Sequence, residues 1–394
     1  MRVLVVTHNY PRFAGDPAGA YVARLAQAAS AGGAEVAVLA PHVPGTAVDE
    51  AAGRVRVHRF RYAPGSWERI GYRGDARART LLAPATLVLL PLYLTAFRRA
   101  ARRLARQFHP DVVHAHWWFP GGWVAAGAGT PYLITSHGSD ARLLEGLLAR
   151  RVARGVFRDA ARVTAASTFL AGDLSSRLPP LPAPIVVTPM PIDVDAFAAG
   201  RGTPKVTPPR ILFAGNLVST KGVDVLIRAV ALLAPRGVPC ALKILGEGPE
   251  RGRLQALARE LGVADRIIWA PFVAQDRMPA EYGASTITVL PSRGKAEGLG
   301  LTLVEALLAG SSVVGTPAGG IPEVIRDGET GLIARDGDAA HWADQLARLL
   351  TDSALRARLT DAGAAAVRAR FAPEHAARIF LDLYRQARGD HPAH

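Results

Sequence analysis

The chain has 394 residues, more than one compact core accommodates and enough for two domains of ordinary size. Hydrophobic residues make up 49% and charged residues 20%, the balance of a soluble globular protein, and one cysteine, Cys240, excludes a disulfide framework or a thiolate metal cluster and points to a reducing cytoplasmic setting. The net charge of +14 is uneven: residues 1–200 hold 23 Lys+Arg against 13 Asp+Glu, residues 201–394 hold 24 against 20.

The opening MRVLVVTHNY reads as a buried first strand, too short and too quickly polar for a signal peptide. Apolar runs recur at Val36–Leu39, Val112–His114, Tyr132–Thr135 and Val163–Ala165, separated by Ala/Leu/Arg-rich helical stretches such as Tyr21–Ser30 and Leu94–Gln107. Continuous apolar runs without polar alternation suit parallel strands covered on both faces, and their alternation with helices implies a doubly wound sheet. Leu81–Phe97 (LLAPATLVLLPLYLTAF) is uncharged and flanked by Arg77, Arg79, Arg98, Arg99, Arg102, Arg103 and Arg106. Interrupted by Pro84 and Pro91, it is marginal for a membrane span. It reads either as a buried helix of the first domain or as a basic, apolar element resting on an anionic membrane. A nucleic-acid partner is not expected, because no stacking aromatic platform interleaves with the arginines.

Residues 179–209 are proline-rich and aperiodic, a linker composition. A second alternation follows: Ile211–Ala214, a helix over 222–233, Ala241–Leu245, a helix over 250–261, Ile267–Trp269, Ile287–Leu290, a helix over 302–309 and Ser312–Gly315. Helices over 339–350 and 374–388 close the chain. The fold class is therefore α/β, with two Rossmann-like doubly wound domains, residues 1–200 and 201–371, facing across a cleft. The last segment, about 372–394, is free to cross back to the first domain.

Polar groups gather where strands end. Pro11–Ala20 (PRFAGDPAGA) is a glycine-bearing loop between the first strand and first helix, with Asp16 and Gly19. His116 and His137 end two further strands. They lack H-x3-H or H-E-x2-H spacing and an apparent third ligand, so no metal is expected. In the second half, Gly215-Asn216-Leu217-Val218-Ser219-Thr220-Lys221-Gly222 leads into a helix. A lysine beside glycine and free backbone N–H groups there is placed to hold a diphosphate, or is simply solvated in a tight turn. Gly246 marks a sharp strand-to-helix turn that ligand approach or plain turn chemistry explains equally well.

The most specific stretch runs from Pro291 to Ala306 (PSRGKAEGLGLTLVEA). Glu297 sits in its loop, Glu305 one turn into the following helix, and the N–H groups of Gly300 and Leu301 face an anion at the helix entrance. Two carboxylates do not bind phosphate; they accept charge-assisted hydrogen bonds from hydroxyl groups. One for a transferred sugar and one for a ribose fits a nucleotide sugar stretched across the helix entrance. Thr302-x-x-Glu305 also matches a capping box, which would leave Glu305 a purely helical role.

With these motifs together, the chain resembles the retaining GT-B glycosyltransferases of family four over roughly residues 1–385. The carriers are the E-x7-E pair Glu297/Glu305, the lysine-glycine loop at Lys221, and the downstream runs Gly315–Ile325 and Asp327–Leu332. The resemblance implies an acceptor domain followed by a donor domain. It places Lys221 on the diphosphate, Glu297 on donor-sugar hydroxyls with Gly298 and Leu299 beside it, Glu305 on the ribose, and His137 near the donor sugar. His116, Asp16 and Gly19 fall on the acceptor side, where Trp117, Trp118 and Trp123 offer stacking surface. Asn216 stands where the family usually has arginine, and Arg293 or Lys295 is expected to compensate. The implied reaction is front-face displacement from a nucleoside-diphosphate sugar to a glycan or lipid-linked acceptor, in cell-surface polysaccharide or glycolipid synthesis. It needs no metal or cofactor, and the protein would be cytoplasmic and peripheral at the membrane. A nucleotide-sugar epimerase and a non-catalytic binding protein on the same architecture are the rivals. A dehydrogenase is disfavoured because neither half shows G-x-G-x-x-G after its first strand.

Overall fold

The computed structural model describes residues 1–68, 70, 84–295 and 297–390. Two units divide the chain: residues 1–192 together with the C-terminal segment from Ala372, and Asp193–Phe371. The division falls at Ile192, earlier than the proline-rich composition places it. The reason is local: the Asp193 side chain caps a short helix, Val194–Ala198, whose Phe197 ring lies 6.1 Å from that of Tyr282 in the second unit.

In the first unit, β1 (Arg2–Val6), β2 (Glu35–Pro41), β3 (Asp49–Ala52), β4 (Val55–Phe60), β5 (Val112–His116), β6 (Tyr132–Ser136), β7 (Arg162–Ala165) and β8 (Val186–Val187) form one sheet. Their order is β3-β4-β2-β1-β5-β6-β7-β8, and only the β3–β4 edge pairing is antiparallel. Val3 pairs with both Val36 and Val112, so the central strands are buried on each face, as their unbroken apolar runs require. The hairpin at the edge is not foreseen from sequence. In VRVHRF, charged residues alternate with apolar ones, the pattern of a strand covered on one side.

Helices α1 (Ala20–Ala31), α2 (Pro84–Phe108), α3 (Leu147–Arg158) and α4 (Thr168–Arg177) cover this sheet. From Leu89 onward α2 buries a stripe of Tyr93, Phe97, Ala101, Leu104 and Ala105 against the core, with Phe97 stacked on Phe60 at 4.4 Å. This part of the Leu81–Phe97 segment is therefore a core helix; residues 81–83 lie outside the described residues. No helix of the described residues is long and apolar enough to cross a membrane. The terminal helix, Pro373–Arg388, crosses back to pack Phe380, Leu381 and Tyr384 into the core beside Val22 and Leu25 of α1.

The second unit holds β9 (Arg210–Ala214), β10 (Ala241–Leu245), β11 (Ile267–Ala270), β12 (Ile287–Leu290), β13 (Ser312–Gly315) and β14 (Leu332–Ile333), all parallel, in the order β11-β10-β9-β12-β13-β14. Its helices are α5 (Val223–Leu233), α6 (Arg251–Glu260), α7 (Met278–Ala284), α8 (Leu301–Leu308), α9 (Ala339–Thr351) and α10 (Ser353–Phe371). The strand order reverses between β9 and β12, and in the first unit between β1 and β5. Ligands of doubly wound sheets bind beyond the carboxyl ends of the strands at such switch points. The loops after β9 and β12, and those after β1 and β5, are the ones that carry the polar motifs.

Candidate active site

The loop after β9 and the loop after β12 are built against one another. Gly222, at φ +64°, brings its Cα so close to the next loop that an added Cβ would lie 2.1 Å from the Pro291 carbonyl oxygen. Arg293 N–H donates to the Thr220 carbonyl at 2.8 Å. The turn after β10 is laced in as well: Gly215 N–H donates to Leu245 O at 3.0 Å, Leu217 N–H to Glu247 O at 2.8 Å, and Gly246 N–H to Ala270 O at 3.0 Å. Backbone contacts thus hold all three turns as one body.

Within that body Lys221 and Glu297 meet. Lys221 Nζ donates to Glu297 Oε2 at 2.6 Å, and Ser292 Oγ donates to the same oxygen at 3.1 Å. The two side chains are 23% and 16% exposed, so the pair is half-buried yet reachable. Charge-assisted bonds of this kind orient the carboxylate firmly. The backbone of Glu297 is fixed from behind by the Gly315–Ile325 run. Gly320 N–H donates to Glu297 O at 3.1 Å, and a Cβ on Gly319 would lie 1.7 Å from that oxygen. The glycine pair is a close-approach requirement that a single sequence shows only as a turn.

Glu305 does not cap its helix. Helix α8 starts at Leu301 with Gly300, at φ +89°, as its N-cap, so Thr302 already lies inside the helix and the capping-box geometry does not arise. Instead the buried Tyr282 hydroxyl donates to Glu305 Oε2 at 2.9 Å. Burial, reinforced by the Glu305 charge, pushes the Tyr282 phenol well above its ordinary range, which keeps it a donor. Gly298, Leu299, Gly300 and Leu301 form the helix entrance between the two glutamates. Arg293 is held by Asp224 on α5 at 3.0 and 2.8 Å, whereas Lys295 is exposed. Asn216 is half-buried in the loop after β9.

The corresponding ends of β1, β5 and β6 in the first unit carry imidazoles rather than ion pairs. His116 Nδ1 lies 3.0 Å from His137 Nε2, and the His116 ring stacks on His114 at 4.2 Å. His114 in turn bonds the Tyr384 hydroxyl at 2.8 Å and Thr135 Oγ1 at 2.7 Å, so the terminal helix helps set this row. Trp117, at φ +63°, lays its ring 4.3 Å from His137 and 4.2 Å from His8. Burial pushes His114 and His137 down to about 3 and holds His116 well below its ordinary value, so all three are neutral near pH 7. The turn after β6 is organised by buried Asp140, whose carboxylate accepts from Ser136 Oγ at 2.9 Å, the His137 and Gly138 N–H groups at 3.1 Å each, and Trp118 N–H at 3.0 Å.

Asp16 is also committed to its own loop. It accepts from Arg12 Nε at 2.6 Å, Arg12 N–H at 3.0 Å and Ala18 N–H at 3.1 Å, and is only 3% exposed. Burial, the largest single effect, raises its carboxyl, but the Arg12 guanidinium and backbone N–H together with the Ala18 N–H outweigh it and hold the group below the usual range. Gly19 is the left-handed N-cap of α1 at φ +67°. Sequence pattern places Lys221, Glu297, Glu305, His116 and His137 in suitable loops but does not single out Ser292, Tyr282, Asp224 or Asp140. Of these only Asp140 leaves a local trace, an aspartate three residues beyond a strand-end histidine, where Asx turns form.

Comparison with known proteins follows the same division. Residues 199–366 match the family described as glycosyl transferases group 1, and residues 18–196 match glycosyltransferase family 4. The D-inositol 3-phosphate glycosyltransferase of Acidothermus cellulolyticus is 34% identical over 330 residues, covering 76% of this chain and 72% of that protein. Its namesake from Xylanimonas cellulosilytica is 33% identical, covering 72% and 73%. In fold, the chain is similar to sucrose-phosphate synthase from Thermosynechococcus elongatus (TM-score 0.75, 21% identity, 98% of each chain covered). It is similar also to Anabaena HepE in complex with UDP and glucose (TM-score 0.67, 19% identity, 97% and 98% covered).

Proposed function

The chain belongs to the glycosyl transferases group 1 family and is a glycosyltransferase of GT-B architecture, and we propose that it moves a sugar, with retention of configuration, from a nucleoside-diphosphate sugar to a glycan or lipid-linked acceptor. The observation that carries this reading is the Lys221–Glu297 contact of 2.6 Å at the β9/β12 switch point, beside the entrance of α8. One cation for a diphosphate and one anion for hydroxyl groups stand side by side, which is what a nucleotide sugar needs at its junction.

In this chemistry Lys221 and the N–H groups of Gly300 and Leu301 stabilise charge on the departing diphosphate, an electrostatic contribution. Glu297 accepts from donor-sugar hydroxyls, and Glu305, held by Tyr282, accepts from the ribose. Gly215, Asn216, Gly246, Gly298 and Leu299 line the donor, with exposed Lys295 rather than engaged Arg293 supplying the second cation. The bond from the anomeric carbon to the diphosphate breaks, the acceptor oxygen bonds that carbon from the same face, and its proton passes to the leaving diphosphate. His137, neutral, serves the sugar as a hydrogen-bonding group. His116 and Gly19 belong to the acceptor side, with Asp16 setting the shape of the loop rather than touching a ligand. The diphosphate charge is met by Lys221 and helix amides, so we assign no metal or cofactor, and chelator leaves transfer unchanged.

The acceptor's place in cell-surface polysaccharide or glycolipid synthesis, at the inner face of a membrane, belongs to the same proposal. A second reading, transfer to a small phosphorylated polyol such as D-inositol 3-phosphate, is favoured by the names of the relatives. Incubation with GDP-mannose, UDP-glucose and UDP-N-acetylglucosamine, each with and without lipid-linked, glycan and inositol-phosphate acceptors, separates them. Acceptor-dependent release of nucleoside diphosphate is expected with one donor. Release by none leaves a binding protein, and sugar conversion without an acceptor identifies an epimerase.

A further inference from the structure

From Leu89 onward the apolar, basic stretch that sequence points to lies in α2, and there Tyr93 and Phe97 are taken up by the core. A different element leaves such a face open. In the turn Ala141–Glu145 and in α3, Leu143 is 42% exposed, Leu147 83%, Leu148 78% and Val152 38%. Ala153, Val156 and Phe157 of α3 are buried and anchor the helix. Exposed apolar side chains scattered singly are ordinary, but a cluster on one helix face marks an interaction surface. By contrast Leu92, at 52%, is the large apolar side chain that α2 exposes from Leu89 onward.

Charge identifies the partner. Arg142, Arg151, Arg154 and Arg158 are exposed around the leucines. Arg158 is paired with Asp159 at 2.8 Å, and the nearby Glu145 is shared with Arg177 at 3.8 Å. No carboxylate of a described residue lies within 4 Å of Arg142, Arg151 or Arg154. At helical spacing Leu147, Arg151 and Arg154 share one line while Leu148 and Val152 share the next, so cationic and apolar side chains interleave over one arc. A helix of this kind lies in a membrane interface, leucines in the acyl boundary and arginines at anionic headgroups. A second copy of the chain would bring like charges together, and a nucleic acid would leave the leucines exposed to water.

We propose that Leu143, Leu147, Leu148 and Val152, with Arg142, Arg151 and Arg154, form the surface by which the first unit docks on an anionic lipid bilayer. This deepens the membrane part of the proposed function and rests on it only for its purpose. Docking is measured without donor or acceptor, so a failure of sugar transfer and a failure of docking are separately visible.

The experiment is co-sedimentation of the full chain with vesicles of phosphatidylcholine alone or of phosphatidylcholine with one-third phosphatidylglycerol. Binding is expected only to the anionic vesicles and weakens with salt. Arg151→Glu/Arg154→Glu lowers the partition by about 30-fold or more, from about 1 kcal/mol for each arginine, and Leu147→Asp/Leu148→Asp lowers it at least as far. Leu92→Asp/Arg103→Glu on α2 leaves it unchanged. All these side chains are exposed, and thermal unfolding verifies that each variant folds. Equal binding to both vesicle compositions, no binding to either, undiminished binding by Leu147→Asp/Leu148→Asp, loss of binding in the α2 variant, or a dimer or RNA complex that the same leucine variant dissolves, would each overturn the assignment.

Discussion

The strand ends of the two units hold opposite kinds of chemistry. In the second unit, a half-buried lysine and glutamate stand 2.6 Å apart, and the glutamate is tied to a loop that glycines lock from behind. In the first, three stacked imidazoles are neutral and tied to a tyrosine from the end of the chain and to buried threonine. The difference teaches where charge is needed. A donor that leaves as a diphosphate demands ions at its junction, whereas neutral histidines shape a site without repelling or fixing a charge.

Substitutions put that contrast at risk in a definite order. Glu297→Ala removes charge-assisted bonds worth about 1.5–3 kcal/mol each, so transfer should fall by at least about 100-fold with the fold intact; turnover within a few-fold of normal would remove Glu297 from the site. Lys221→Ala should lower kcat/KM by about 100- to 1000-fold, the size of losing one preorganised charge-stabilising group. Tyr282→Phe frees Glu305, and an increase in donor KM of about 10-fold with little change in kcat is expected from losing one hydrogen bond to a charged group. His137→Ala, which deletes a neutral group, should reduce transfer by about 10-fold or less. A larger loss than that of Lys221→Ala would invert the comparison.

Stability tests the first unit separately. His114 and His116 are fully buried with depressed pKa values, so the unfolded chain binds more protons than the native one between their folded values and 6.5. Stability therefore declines as pH falls below about 6.5, by on the order of 2 kcal/mol at pH 5 for His114, with His116 acting in the same direction. Urea unfolding at pH 7 and pH 5 reads this directly. A flat profile would mean that the imidazoles are hydrated or already charged.

Much of this was legible in the residues because apolar runs such as Val3–Val6 and Ile287–Leu290 need no partner to declare themselves. Val55–Phe60 escapes since its arginines and histidine break the run, and α10 escapes because alanine and arginine are spread around it without a clear apolar stripe. The loops after β9 and β12 are similarly readable: Lys221 and Glu297 stand in stretches of distinctive composition. What joins them is not. Tyr282 reaches Glu305 from 23 residues away and Asp224 reaches Arg293 from 69, contacts that only the sheet order creates. The competing capping role of Glu305 was equally consistent with the sequence, and the left-handed turn at Gly300 removes it.

The division of labour between Lys221 and Glu297 is tested most directly by calorimetric titration of nucleoside diphosphates and the corresponding nucleotide sugars into the wild-type chain, Lys221→Ala and Glu297→Gln. Lys221→Ala should lose affinity for both, whereas Glu297→Gln should keep nucleoside diphosphate affinity and lose the additional affinity due to the sugar. Nucleoside diphosphate binding to Lys221→Ala at wild-type strength would contradict the account.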